Sequence, residues 1–131
     1  MENVLIDTSV WIEYFANRQP ELTQKVEEFI FTAEVCTCYP VLQEVLQGIR
    51  FDEQHAKTKT YLLDLKLLRE DPVLVSIEAA DLYRFLRKKG ITIRSSQDCT
   101  IAWFAINFNA KLVHNDRDFD TIARYTNLKI A

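Results

Sequence analysis

Four acidic residues stand where this chain could carry chemistry: Asp7, Glu44, Asp98 and Asp116. Asp7 ends the apolar run Val4-Leu5-Ile6, and Asp116 follows Lys111-Leu112-Val113-His114-Asn115. Glu44 and Asp98 fall inside helix-like stretches, residues 40–46 and 95–103. Carboxylates held within about 4–6 Å of one another raise each other's pKa values unless a cation intervenes. An all-oxygen acidic cluster suits a hard ion such as Mg2+ or Mn2+. Ions of that kind commonly serve phosphoryl transfer. The chain has no glycine loop to cradle a nucleotide, no GxSxG nucleophile turn and no His-rich zinc motif.

Each acid also has a plainer reading. Asp7 can serve only as the N-cap of a following helix, although Thr8 and Ser9 can cap equally well and leave its carboxylate free. Glu44 lies beside the inward arc drawn by residues 41, 42, 45, 46 and 49, where a solvated residue would look the same. Asp98 occupies a first helical turn after Ser95, in a spacing that resembles a capping box. Asp116 opens the acid-rich turn Asp116-Arg117-Asp118-Phe119-Asp120, and Asp118 is expected to cap the next helix or to act from outside the metal's own ligands. His114, at a strand end, is expected to orient its neighbours rather than catalyse.

The elements that must position these residues follow from patterning. Residues 3–6 predict a buried strand and residues 8–15 a helix, and Pro20 opens a second helix through 31. Residues 34–38 alternate as a strand, and a helix runs from Tyr39-Pro40 to near Gly48. Residues 52–69 predict one long helix, with Tyr61, Leu62, Leu65 and Leu68 at helical spacing, broken by Asp71-Pro72. Val73-Leu74-Val75 predicts a third strand, residues 77–89 a helix stopped by Gly90, and Ser95 or Ser96 the cap of a helix through 108. A strand at 111–114, a helix at 119–125 and a strand at 128–130 complete the chain. Strands alternating with helices indicate a three-layer α/β/α fold around a central, mostly parallel sheet. Ligands of such sheets sit beyond the carboxyl ends of the strands, where Asp7 and Asp116 fall. The two acids meet only if the first and fourth of these strands are neighbours.

Composition narrows the class. At 131 residues, 48% hydrophobic and 27% charged, the chain is expected to form one domain over residues 1–131. No apolar run reaches the roughly 18 residues of a membrane span. Met1-Glu2-Asn3 lacks a basic secretory start, so a cytoplasmic location is the expectation. Cys36 and Cys38 fit a soft-metal half-site poorly, with no second pair and no nearby His, and read as small buried residues in a reducing compartment, as does Cys99. The net charge of −3 argues weakly against a dedicated nucleic-acid binder, but Arg84, Arg87, Lys88, Lys89 and Arg94 cluster around Gly90. That cluster fits phosphate contacts and a solvated helix end about equally well.

Taken together, Leu5-Ile6-Asp7-Thr8-Ser9-Val10-Trp11, Leu42-Gln43-Glu44-Val45-Leu46-Gln47-Gly48, Asp98-Cys99-Thr100-Ile101-Ala102 and Leu112-Val113-His114-Asn115-Asp116-Arg117-Asp118-Phe119 resemble a PIN-domain nuclease. Their order and spacing are most similar to the VapC-type toxins of bacterial toxin–antitoxin pairs. The resemblance implies an endoribonuclease dependent on Mg2+ or Mn2+, with Asp7, Glu44, Asp98 and Asp116 as its acidic quartet. It implies Asp7, Asp98 and Asp116 as metal ligands, Ser9, Asp118 and His114 in support, and Arg84, Arg87, Lys88 and Lys89 on flanking RNA phosphates. His114 departs from the family, which often carries Thr there. A small antitoxin covering the site, with an inserted Arg competing for the carboxylates, and a homodimer with interfaces drawn from Trp11, Phe15, Phe29 or Phe31 are further implications. Two other readings remain: a degenerate domain that binds RNA or protein without catalysis, and a phosphotransfer domain with Asp7 as nucleophile, for which no Asp-x-Asp follows the first strand.

Overall fold

Short apolar runs that stop at a polar residue build the sheet. In a computed structural model, which describes residues 1–131, β1 (Asn3–Ile6) lies between β2 (Glu34–Thr37) and β4 (Lys111–Val113). The two-residue β3 (Lys66–Leu67) forms the far edge, giving the order β3-β2-β1-β4 with every pairing parallel. Val4, Leu5 and Ile6 are fully buried, as expected of a central strand covered on both faces. Seven helices flank the sheet: α1 (Thr8–Ala16), α2 (Pro20–Thr32), α3 (Tyr39–Gln47), α4 (Asp52–Leu63), α5 (Pro72–Lys88), α6 (Ser96–Asn107) and α7 (Arg117–Tyr125). Trp11, Phe104 and Phe119 are the bulkiest fully buried side chains of a single hydrophobic cluster.

Two neighbouring expectations fail, one to sheet pairing and one to a helix cap. The helix expected over 52–69 stops at Leu63, with Asp64 as its C-cap, and Lys66-Leu67 pairs with β2 as the sheet's edge. Leu68, counted as helical by its spacing, is buried through the sheet instead, its N–H bonded to the Thr37 carbonyl at 2.8 Å. The strand expected at Val73-Leu74-Val75 is the first turn of α5. Asp71 accepts the Val73 N–H at 3.0 Å and Pro72 sits at the first helical position, so a strong helix start overrides a three-residue apolar run. Removing that cap by Asp71→Ala is expected to cost about 1 kcal/mol, read as a lowered urea midpoint with an unchanged slope.

The remaining ends lie close to expectation. Gly90, at φ +81°, closes α5 in the left-handed region, its N–H bonded to the Arg87 carbonyl. Residues 128–130 reach the sheet through one parallel bridge, Ile130 to Leu112. The last helix starts at Arg117, two residues earlier than expected, because Asp116 rather than Asp118 caps it.

Candidate active site

The chain crosses from β1 outward to β2 and β3, then returns to place β4 on the other side of β1. The strand order therefore reverses between β1 and β4, and the crevice beyond their carboxyl ends is the fold's natural site. The Asp7 N–H bonds to the Val113 carbonyl at 2.9 Å, which ties the exit of β1 to the exit of β4. Asp7 and the turn that carries Asp116 therefore leave neighbouring strands at the same end of the sheet, while the carboxylate oxygens that converge most closely are those of Asp98, Asp116 and Asp118.

Asp7 caps α1 after all. Its Oδ2 accepts the Ser9 N–H at 3.2 Å and the Ser9 hydroxyl at 2.6 Å, so Ser9 serves the acid instead of replacing it as a cap. Burial raises its pKa, and the Ser9 bonds only partly offset that. Glu44 is turned inward: the Thr8 hydroxyl donates to its Oε1 at 2.9 Å across 36 residues of chain. The solvated-flank reading of Glu44 misses this, because Thr8 carries no signal in the sequence that it reaches another helix.

Ser95 holds the N-cap position of α6 but makes no side-chain bond, and Asp98 does not reach back to it, so the capping-box reading fails. The Asp98 side chain instead turns into the pocket, 8% exposed, with Oδ2 buried and without a hydrogen-bond partner. Its carboxyl is pushed up to about 7, first by burial, then by the charges of Asp7, Asp116, Asp118 and Glu44. A buried carboxylate oxygen without a donor, facing other acids, is what an oxygen-seeking cation would satisfy.

Asp98, Asp116 and Asp118 each offer an oxygen within 4.8 Å of the others'. Asp118 therefore stands nearer the centre than its expected capping role, and Asp116 takes the cap, its Oδ1 accepting the Asp118 N–H at 2.9 Å. His114 accepts the Asp116 N–H on Nδ1 at 3.0 Å, which leaves the proton on Nε2, facing Asp120 Oδ1 at 3.1 Å. The imidazole thus braces the turn, as expected of an orienting residue.

The basic residues divide. Arg84 and Arg87 line a surface groove between α5 and α6 with Tyr83, Ser96, Gln97 and Thr100. Lys88 is exposed in the last turn of α5, and Lys89 lies over the Phe85 and Tyr125 rings, at 5.0 and 5.9 Å. Arg94, grouped with them in sequence, instead bonds Asp116 and Asp118. The cysteines are free and buried, and burial drives the Cys38 thiol up to about 12 and the Cys99 thiol up to about 11. Burial raises the Cys36 thiol as well, as befits small buried residues.

A parallel sheet with a carboxylate cluster at its switch point defines a class, and the comparisons name it. The sequence model described as "PIN domain" matches residues 4–125. Ribonuclease VapC11 of Mycobacterium tuberculosis and VapC ribonuclease Mb1587 of Mycobacterium bovis are each 38% identical over 130 residues, covering 98% of this chain and 97% of each relative. The chain belongs to the PIN-domain family, among its VapC-type members. The fold is also that of VapBC2 from Rickettsia felis bound to a promoter DNA fragment, with TM-score 0.79, 22% identity and coverage of 98% and 97% of the two chains. DNA-bound VapBC from Salmonella typhimurium gives TM-score 0.77 at 18% identity, covering 100% and 98%.

Proposed function

We propose that this chain is a metal-dependent endoribonuclease, the toxin of a toxin–antitoxin pair. The observation that carries the proposal is Asp98 Oδ2, buried without a donor beside oxygens of Asp116 and Asp118, in a chain 38% identical to named VapC ribonucleases. Asp98, Asp116 and Asp118 would hold one Mg2+ or Mn2+, with Asp7 and Glu44 completing or extending the shell. A bound ion would supply Lewis acidity at the phosphate and an acidified water.

The chain's own residues do the rest. Ser9 and Thr8 fix the directions of the Asp7 and Glu44 carboxylates, and His114 fixes the turn that carries Asp116. The Ser9 and Thr8 hydroxyls are committed as donors to Asp7 and Glu44, so water is the attacking group, and carboxylates stand on several sides to receive its proton. The groove lined by Arg84 and Arg87 opens beside the first turn of α6, the turn that bears Asp98, and suits a flanking phosphate. Lys88 would add charge at its rim.

Partners belong to the same reading. An apolar groove between α1, the end of α3 and the start of α4, lined by Ile12, Phe15, Val45, Ile49 and Phe51, suits an amphipathic antitoxin segment. Of the aromatic residues expected at interfaces, Trp11 is wholly in the core, Phe15 and Phe29 pack against it, and Phe31 is 90% exposed. A homodimer would also cover the outward apolar side of α5, where Val73, Ile77 and Phe85 are exposed. No helix is long and apolar enough to cross a membrane.

The test is RNA cleavage by the purified chain. Cleavage is expected with Mg2+ or Mn2+, to vanish with EDTA and to return with excess metal. RNA bound but left intact under every metal condition would instead support a non-catalytic binding domain.

A further inference from the structure

Arg94 sits at the rim of the acidic site, its side chain 63% exposed, with its charged end turned onto two of the acids. Nη2 donates to Asp116 Oδ1 at 2.8 Å, and Nε donates to Asp118 Oδ2 at 3.1 Å. Its backbone N–H adds a bond to the same Oδ2 at 3.2 Å. No other Lys or Arg pairs with Asp7, Glu44, Asp98, Asp116 or Asp118. A guanidinium fork suits two carboxylates well, since its donors are planar and permanently charged.

We propose that Arg94 is the site's built-in counter-ion: it neutralises Asp116 and Asp118 in the metal-free protein and holds divalent-metal affinity down. The inference rests on reading the cluster as a metal site. Its physical basis is Coulombic. The fixed positive charge lies against two of the three acids whose oxygens converge within 4.8 Å, so an ion seated among them meets repulsion as well as attraction. The buried Asp98 Oδ2, which Arg94 does not reach, marks where the fixed charge leaves the cluster unsatisfied. A toxin built this way would respond to the level of free metal instead of staying saturated. The main-chain bond from Arg94 to Asp118 survives any change of side chain, so Asp118 keeps one of its anchors in a variant.

The test is titration of the full chain with Mn2+ by calorimetry at low salt, with the metal-free melting temperature measured alongside. R94Q is expected to bind Mn2+ about tenfold more tightly than wild type, the size expected for removing a unit charge about 5 Å from a divalent ion. Its metal-free melting temperature should fall, because the acids lose their counter-charge. R94K keeps the charge and is expected to bind within about twofold of wild type. A purely structural Arg94 predicts weaker binding on substitution, so R94Q binding equally or more weakly overturns the proposal. If R94Q does not fold, R94K decides: binding several-fold from wild type in either direction overturns it. Wild type that takes up no Mn2+ overturns the metal-site reading and this inference with it, whereas wild type that binds beside an unchanged R94Q overturns this inference alone.

Discussion

Asp98→Asn leaves RNA uncut and makes the metal-free protein more stable. Asparagine keeps the shape of the side chain but removes the charge that an ion would need and that Asp7, Glu44, Asp116 and Asp118 oppose. Loss of a group that stabilises transition-state charge typically costs about 10²–10³-fold in rate, and loss of a ligand to the ion itself costs at least that. The same change relieves a buried carboxylate of ionisation, so stability above neutral pH rises by about 1–3 kcal/mol. Asp7→Asn provides a second variant, since asparagine caps a helix as well as aspartate does and α1 keeps its start. Full cleavage by either folded variant at saturating metal would sink the assignment of the acidic site.

The metal-free protein carries a pH dependence set by Asp98. Its folded carboxyl titrates at about 7 against 3.8 when unfolded. Between these values the folded state binds more protons than the unfolded one, so this group's contribution to stability falls as pH rises and levels off above about 7. The span, at about 1.4 kcal/mol per pH unit, sets an upper limit of about 4 kcal/mol, reduced by local relaxation and water. Burial pushes the Asp7 carboxyl the same way and adds to the effect. The clean measurement is the difference in unfolding free energy between wild type and D98N, in EDTA, from pH 4 to 8.5. The gap should open steadily and close when Mg2+ or Mn2+ is added to wild type at high pH. Parallel curves would show that Asp98 ionises without opposition.

Much of this was legible in the chain because the signals were local. β1 ends at Ile6 because an apolar run meets a carboxylate, and α5 ends at Gly90 because a left-handed residue is needed there. The misread stretch, residues 64–75, has short apolar runs that fit a helix or a strand equally; pairing with β2 settled Lys66-Leu67, and the Asp71 cap with Pro72 settled residues 73–75. At the site, the four acids were recognisable by type and order, but their relations were not. Glu44 faces inward through Thr8, and Asp118 joins Asp98 and Asp116 although it neighbours a residue that already caps the helix.

The sequence alone pointed to the class of chemistry: four acids in an order and spacing that resemble a PIN-domain nuclease, which implies an acidic, metal-seeking site. The tertiary structure decided which oxygens converge and what opposes them. Parallel pairing of β1 with β4 brings together residues more than 100 positions apart. Arg94, grouped in sequence with the basic cluster around Gly90, becomes the partner of Asp116 and Asp118. Local propensity cannot encode such contacts, because the field at a carboxylate depends on every charge folded against it, and those charges come from distant parts of the chain.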